Sequence, residues 1–309
     1  MPLLRSLLIK GSESAALARL VRDRAFARRA VRRFMPGETL DAALDAAARQ
    51  AAAGVSTTLT YLGEQVVEAA DTERVAAHYL DALDRVRARR LPCEFSLKLT
   101  HLGLAAGRGT CEALLDRICA RAAETGTFVW IDMEGSDRTE VTLAIFRAVR
   151  ARHANLGLCL QAYLRRTPSD VETLVPLGAA LRLVKGAYRE PPALAYRKRH
   201  EVTEAFFRLG ARLLADDARG AGVRAVFGTH DTRLLARLRG HARSLGLGPG
   251  AFECHMLYGI RTADQRRLAA EGVPVRVLIS YGESWFAWYM RRLAERPANL
   301  WFVLKSVFA

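Results

Sequence analysis

The chain has 309 residues, half of them apolar, which is enough to bury one large core or two ordinary ones. Its 47 basic and 32 acidic residues give a formal charge of +15, which raises the hypothesis of nucleic-acid or anionic-membrane binding. The basic residues are spread along the whole chain without a zinc spacing or an RNA-binding signature, so we favour a general bias towards arginine and expect no nucleic-acid partner.

The cysteines and the apolar runs indicate a cytoplasmic protein without a membrane span. No apolar run reaches the roughly 18 residues that a membrane-spanning helix needs. The N-terminus, MPLLRSLLIKGSES, lacks the long apolar core and the cleavage site of a signal peptide. The cysteines form an odd set with no Cys-x-x-Cys pair, which predicts buried, reduced thiols at Cys93, Cys111, Cys119, Cys159 and Cys254.

The first 50 residues are predicted to form N-terminal helices that pack on the domain that follows. Within them, the segment from Leu17 to Phe34 combines apolar residues with seven arginines in an amphipathic pattern. Such a helix suits peripheral contact with an anionic membrane surface. More often, a helix of this kind packs its apolar side on the core.

The rest of the chain, residues 51–309, alternates short β-rich runs with longer segments of helical periodicity, such as 201–218 and 232–245. The β-rich runs number eight: GVSTTLTYLG (54–63), EFSLKLT (94–100), FVWIDME (128–134), LGLCLQAY (156–163), LRLVKGAY (181–188), AVFGTH (225–230), FECHML (252–257) and VPVRVLIS (273–280). Eight strands alternating with helices, without a polar linker, predict a single α/β domain. We expect a parallel (βα)8 TIM-like barrel.

Polar residues recur where these strands are predicted to end. Barrel enzymes place their chemistry at the C-terminal ends of the strands, so these positions are candidate site residues. A lone histidine at a strand end is more often structural, but the recurrence over seven strands favours a site. The residues at or just past the strand ends are Lys98, Asp132, Gln161, Lys185, Tyr188, His230, His255 and Tyr281.

The last part of the chain, LISYGESWFAWYMRRLAERPAN (278–299), is predicted to be a strand followed by a helix that carries two adjacent arginines. Neighbouring helical residues point about 100° apart, so Arg291 and Arg292 could converge only on an anion held against that face. Arginine matches the planar geometry of a carboxylate and keeps its charge in a partly dry pocket. The alternative is a solvated basic helix face in which Glu295 pairs with one of the arginines.

Other chemistries find less support in the sequence. Asp132, Glu134, His230 and His255 could supply metal ligands, but their strand positions do not decide this, and we expect no metal. A serine or cysteine nucleophile lacks its elbow motif. The glycine-rich patch GLGPG (246–250) follows a predicted helix, whereas a dinucleotide-binding loop follows a strand and opens a helix.

Read together, several segments resemble one family, the FAD-dependent proline dehydrogenases in their short monofunctional bacterial form. The matching segments occur in family order across nearly the whole chain: ARRAVRRFMPGETLDAAL (27–44), SLKLTHLGL (96–104), FVWIDMEGSDRTEVTL (128–143), LRLVKGAYRE (181–190), FGTHD (227–231), FECHMLYGIR (252–261) and WYMRRLAERPANL (288–300). The resemblance implies a distorted (βα)8 barrel that carries FAD. It also implies oxidation of proline to 1-pyrroline-5-carboxylate, with a quinone or another acceptor receiving the electrons.

The resemblance assigns a role to each site position. Arg291 and Arg292 would clamp the substrate carboxylate, with Lys98 lining the same end, Glu295 orienting the pair and Asp132 in the polar network around the substrate. Leu257 would pack on the substrate ring. Arg182 resembles the arginine near flavin N5, where positive charge favours hydride acceptance. The remaining flavin-binding positions would be Gln161, Lys185, Gly186, Ala187, Thr229 and His230.

The chain departs from the family pattern at three pocket positions. Leu278 and Trp288 stand where the family typically has tyrosines, and His255 stands where relatives usually carry glutamine. The two tyrosines face the substrate ring and not its carboxylate, so a hydroxylated or otherwise substituted proline is an alternative substrate. A barrel that binds its ligand without turnover is a second alternative.

Overall fold

A computed structural model describes residues 32–63 and 65–286, and within these ranges it confirms the predicted barrel. Eight parallel strands close in sequence order, with β1 paired to β8. The strands are β1 (Ser56–Tyr61), β2 (Cys93–Leu97), β3 (Val129–Ile131), β4 (Leu156–Gln161), β5 (Ala180–Val184), β6 (Arg224–Gly228), β7 (Glu253–Leu257) and β8 (Val275–Tyr281).

One helix precedes β1, and the other described helices lie between successive strands and surround the barrel. The helices are α1 (Leu40–Ala52), α2 (Ala69–Ala88), α3 (Arg108–Glu124), α4 (Thr139–Arg150), α5 (Thr167–Leu174), α6 (Arg199–Leu213), α7 (Asp216–Gly220), α8 (Thr232–Ser244) and α9 (Thr262–Ala270), with short 3₁₀ turns at Ser136–Arg138, Val175–Leu177 and Pro249–Ala251. The helix predicted over 201–218 is two helices, α6 and α7. The second starts at Asp216 and Asp217, whose carboxylates favour a helix N-terminus.

Each strand sends alternate side chains to the helices and to the barrel interior. Leu59 and Phe95 occupy matching positions on β1 and β2, point outwards and join the apolar core under the helices. The intervening positions face the interior and carry many of the polar residues, including Ser96 and Arg182. Both faces of the strands are therefore buried, which explains why the sequence shows continuous runs instead of simple apolar alternation.

The N-terminal end of the barrel interior is closed by a group of charged side chains, which we call the basal ion cluster. It consists of Glu94, Arg224, Glu253 and Arg276 from four strands. Arg224 contacts both glutamates, at 2.7 Å to Glu94 and 2.5 Å to Glu253. This pairing satisfies charges that would be costly to bury alone.

Helix α1 packs on the barrel beside β1 and β8. Its buried residues Leu44 and Ala47 belong to the same apolar core as Leu59 and Ile279. The domain boundary proposed between residues 50 and 51 stays a prediction. Residues 1–31, which include most of the predicted amphipathic segment, lie outside the described part of the chain.

The prediction for the cysteines is confirmed. All five are free and buried. Burial raises the pKa of Cys93, Cys111 and Cys119 to about 12, which keeps these thiols protonated and unreactive. Among the described helices, none is long and apolar enough to cross a membrane.

Candidate active site

Arg182 is the most deeply buried cation of the predicted site, with 3% of its surface exposed. Its Nη2 donates to Ser96 Oγ at 2.7 Å and to Asp132 Oδ1 at 2.5 Å. The Ser96 hydroxyl in turn donates to the same carboxylate oxygen at 2.9 Å. Burial lowers the pKa of Arg182, but the Asp132 carboxylate and the Cys159 thiol outweigh it, and the net pKa lies above the ordinary value. The site therefore contains a fixed positive charge.

An indole ring lies beside this cation. The Arg182 guanidinium carbon lies 5.0 Å from the centroid of the Trp130 ring, within cation–π range. Trp130 Nε1 donates to Glu94 Oε2 at 2.7 Å, which connects the ring to the basal ion cluster. A continuous set of contacts thus runs through the barrel interior from its N-terminal end to Asp132.

A second polar group forms where β5 and β6 end. Lys185, the residue after β5, donates from Nζ to Asp231 Oδ2 at 2.7 Å. Asp231 Oδ1 accepts from the Leu234 amide and caps α8, while the Asp231 amide donates to Thr229 Oγ1 at 3.1 Å. Burial opposes ionisation, but the Lys185 and Leu234 hydrogen bonds prevail and the pKa of Asp231 is lowered. Lys185 and Thr229 therefore both contact Asp231, Lys185 through the carboxylate and Thr229 through the backbone amide.

The structure brings three more predicted residues together: His230 after β6, Leu257 at the end of β7 and Leu278 in the middle of β8. The Leu257 amide donates to His230 Nε2 at 3.2 Å. Leu257 and Leu278 are register partners in β7 and β8, and both are half-buried. The two leucines are therefore neighbours, as a shared substrate pocket would require.

Gln161, Gly186 and Ala187 lie at or after the ends of β4 and β5. Gln161 is buried and donates from Nε2 to the Met133 carbonyl at 3.3 Å, while its Oε1 has no partner among the described residues. Gly186 has φ +106°, and a Cβ there would lie 2.2 Å from a Tyr163 ring carbon. Glycine is therefore required at this position, both for the backbone conformation and for the close approach of the ring. Ala187 follows it and is half-buried.

Lys98 is the residue after β2 and is half-buried at the same end of the barrel. The carboxylate clamp predicted from the sequence cannot be placed beside it, because Arg291, Arg292, Glu295 and Trp288 lie outside the described residues.

The strand-end expectation is wrong for His255, and Tyr281 lies at its strand end but does not face the barrel interior. His255 is the third residue of β7, and its side chain is buried in the barrel interior below the strand end, with its ring 5.7 Å from that of Trp130. Tyr281 does end β8, but its side chain points outwards to α2, where its hydroxyl lies 2.8 Å from His78 Nε2. Side-chain direction alternates along a strand, so a shift of one position turns a side chain outwards, and a shift of two positions places it deeper in the barrel.

The four residues weighed as metal ligands have separate partners in the structure. Asp132 binds Arg182, Glu134 accepts from the Thr100 amide and hydroxyl, His230 accepts from the Leu257 amide, and His255 lies 3.5 Å from Glu253. Over residues 32–63 and 65–286, no group of three or more potential ligands is arranged to hold a metal ion.

Two residues of the site were not identified from the sequence. Ser96 lies inside a strand, and its partner Arg182 is 86 residues away, so no local pattern indicates the contact. Asp231 belongs to the segment FGTHD and precedes a helix, which is a signal for an N-cap but not for pairing with Lys185.

The fold and these contacts define a (βα)8 barrel whose polar side chains gather at the C-terminal ends of its strands, the arrangement typical of barrel enzymes. A model of the proline dehydrogenase family matches residues 43–305 of the chain. The resemblance seen in the sequence is therefore confirmed, and the chain belongs to the proline dehydrogenase family of oxidoreductases.

Several known proteins are similar over most of the chain. Proline dehydrogenase 1 of Bacillus subtilis (strain 168) is 36% identical over 276 residues, which is 89% of this chain and 90% of the relative. Proline dehydrogenase of Deinococcus radiodurans is 34% identical over 280 residues, with 89% of each chain covered.

A solved structure of proline utilization A (PutA) from Bdellovibrio bacteriovorus, inactivated by N-propargylglycine, has the same fold with a TM-score of 0.80 at 23% identity. The match covers 86% of this chain and 32% of that chain, so this protein corresponds to about a third of the PutA structure.

Proposed function

We propose that the protein is an FAD-dependent dehydrogenase that oxidises L-proline to 1-pyrroline-5-carboxylate and passes the electrons to a quinone. Family membership supports proline as the substrate class, because the two relatives described above are named proline dehydrogenases. A quinone acceptor would bring the cytoplasmic protein into peripheral contact with the inner face of the membrane.

The observation that carries the proposal is the incomplete hydrogen bonding of two buried side chains. Arg182 Nη1 and Gln161 Oε1 are buried and have no partner among the residues that the structure describes. A buried donor or acceptor without a partner costs about 1–3 kcal/mol, so such atoms are expected to meet a polar ligand. A flavin ring offers acceptor atoms to Arg182 and a ring N–H donor to Gln161, and the residues present therefore fit the cofactor.

Under this proposal each part of the site has a task. Lys185, Gly186, Ala187, Thr229 and His230, at the ends of β5 and β6, would hold FAD together with Arg182 and Gln161. Bound FAD supplies a hydride acceptor. Arg182 contributes a fixed positive charge beside Asp132, and positive charge next to a reduced flavin favours the transfer of negative charge to it.

The substrate side of the site rests on different residues. Arg291 and Arg292 would bind the proline carboxylate, Lys98 would line that end, and Glu295 would orient the arginines. Leu257 and Leu278 would cover the ring. Proline must be neutral at nitrogen when a hydride leaves the adjacent ring carbon, and the nitrogen then loses its proton to give the imine.

The test is proline turnover with an artificial electron acceptor, compared between the unsubstituted protein and the variant Arg291→Met, Arg292→Met. We expect the double variant to retain FAD but to show a KM for proline raised about 100-fold or more, since two charged contacts are lost. An unchanged rate at low proline concentration would contradict the clamp. Bound FAD without turnover of any cyclic amino acid would favour the non-catalytic alternative.

A substituted proline is the second candidate substrate, and the half-buried Leu278 is the observation behind it. We expect Leu278→Tyr to raise kcat/KM for proline relative to trans-4-hydroxyproline, because the added phenol would occupy space next to the ring. Leu278→Phe, which adds the ring without the hydroxyl, is the matched control. A ratio that is the same in all three proteins would show that position 278 does not select the substrate.

A further inference from the structure

We propose that Ser96 and Trp130 are positioning residues that hold the Arg182 guanidinium in one orientation, and that this orientation raises the reduction potential of the bound flavin. The inference rests on the proposed function, since it requires FAD next to Arg182. It assigns roles to two residues that carry no part of the substrate or cofactor assignments above.

The first support is the way in which the nitrogens of Arg182 are occupied. Nη2 is held by two acceptors, Ser96 Oγ at 2.7 Å and Asp132 Oδ1 at 2.5 Å. Nη1 is buried and has no partner among the described residues. Because the guanidinium group is planar, fixing Nη2 also fixes the direction in which Nη1 can donate.

Ser96 and Asp132 both accept from Arg182, but their roles differ. Its hydroxyl accepts from Arg182 and at the same time donates to Asp132 Oδ1 at 2.9 Å. The three groups therefore form a closed set of hydrogen bonds, in which the serine sets the angle between cation and carboxylate. Ser96 is fully buried on β2, so water cannot readily replace the hydroxyl.

Trp130 supports the same guanidinium through its ring. The ring centroid is 5.0 Å from the guanidinium carbon, and the indole nitrogen donates to Glu94 at 2.7 Å. Glu94 is itself held by Arg224 at 2.7 Å. The ring is thus fixed from the basal ion cluster, and it limits how far the Arg182 side chain can move towards the N-terminal end of the barrel.

The consequence concerns the charge that develops when the flavin takes up two electrons. A cation held at a constant position stabilises that charge without first having to reorient. If Ser96 is lost, Asp132 remains as the acceptor, but the guanidinium gains freedom to rotate towards the carboxylate and away from the flavin. The reduced flavin is then less stabilised, and both its potential and the rate of its reduction should fall.

The experiment compares Ser96→Ala with Thr58→Val in the FAD-loaded protein. Thr58 is a matched control because it is fully buried on the adjacent strand and its hydroxyl has no partner among the described residues. We expect Ser96→Ala to slow anaerobic flavin reduction by proline about tenfold. We also expect the equilibrium between oxidised and reduced flavin to shift about tenfold, a potential about 30 mV more negative. Thr58→Val should leave both unchanged.

The role of the Trp130 ring is tested by comparing two variants, both of which lack the indole nitrogen. Trp130→Phe keeps an aromatic face under the guanidinium, whereas Trp130→Leu does not. We expect the leucine variant to be reduced about two- to fivefold more slowly than the phenylalanine variant, the range of an aromatic-cation contact. Equal reduction rates and potentials in the two variants would contradict the role of the ring.

Binding of cyclopentanecarboxylate separates positioning from general damage to the pocket. This compound has the ring and the carboxylate of proline but no amine to oxidise, and its dissociation constant should stay within about twofold in Ser96→Ala. An unchanged potential in Ser96→Ala, or an equal change in Thr58→Val, would overturn the positioning role alone. Failure of proline to reduce the unsubstituted protein would overturn the proposed function and this inference together.

Discussion

At the scale of single residues, the site depends on contacts between side chains that are far apart in the chain. Arg182 and Ser96 lie on two different strands, Asp132 follows a third, and Lys185 meets Asp231 across 46 residues. The sequence identified Asp132, Arg182 and Lys185 through family motifs and strand ends. It did not reveal Ser96 or Asp231, because a serine inside a strand and an aspartate before a helix are both ordinary features.

Asp231 has two separable tasks, capping α8 and pairing with Lys185. Asparagine can still accept from the Leu234 amide but carries no charge. We expect Asp231→Ala to lower the free energy of unfolding by about 2 kcal/mol and Asp231→Asn by about 1 kcal/mol. Urea unfolding at pH 7, followed by circular dichroism, measures both. If the two variants are equally destabilised, the cap contributes nothing to stability.

At the level of secondary-structure elements, the strand order and the intervening helices were predictable from the sequence, because longer amphipathic segments with helical periodicity separate the short apolar runs. Strand ends were less predictable. The run 128–134 contains only three strand residues, Val129–Ile131, because Asp132 and the residues after it leave the strand. The depth of His255 inside the barrel was also missed, since β7 continues for two residues beyond it.

Two loops at the barrel mouth are joined by one carboxylate. Glu190, in the loop after β5, accepts from the amide of Ser136 at 2.8 Å and from its hydroxyl. That loop also carries Gly186 and Ala187, which we assign to FAD. The contact therefore ties the loop after β5 to the loop after β3.

We expect Glu190→Ala to raise the dissociation constant of FAD about tenfold, the equivalent of one charged hydrogen bond. Glu172→Ala is the control, since it removes an exposed partner of Arg212 on the barrel exterior. Titration of the apoprotein with FAD, followed by flavin fluorescence, gives both constants. Equal FAD affinity in the two variants would show that the contact does not support the cofactor site.

At the scale of the whole molecule, the barrel is closed on itself, and the basal ion cluster connects four of its strands through the interior. Burial raises the pKa of Glu253, but the neighbouring His255 and the hydrogen bonds from Arg224 outweigh this, and the net pKa lies well below 4.5. A carboxyl group with a lowered folded-state pKa contributes its full stability above its unfolded-state pKa, and this contribution declines as the pH falls from that value towards the folded-state pKa. The closed fold was predictable from the strand count, but this cluster was not, because the sequence does not reveal which charges face inwards.

We expect Glu253→Gln to lower the free energy of unfolding by about 3 kcal/mol at pH 7, because Arg224 loses a buried ionic partner. At pH 4, the Glu253 carboxylate already binds a proton in the unfolded state. The difference in the free energy of unfolding between Glu253→Gln and the unsubstituted protein should therefore be smaller at this pH. Urea unfolding at the two pH values tests this. A difference that is the same at pH 7 and pH 4 would mean that the charge of Glu253 does not stabilise the barrel.

We propose that FAD bound in this barrel accepts electrons from a cyclic amino acid. The most direct test is an anaerobic titration of the FAD-loaded protein with L-proline, followed by trans-4-hydroxyproline, with the flavin absorbance recorded after each addition. We predict that proline bleaches the flavin absorbance; bleaching by the substituted proline alone would identify the alternative substrate. A protein that retains no FAD, or whose bound flavin neither compound bleaches, would contradict the claim.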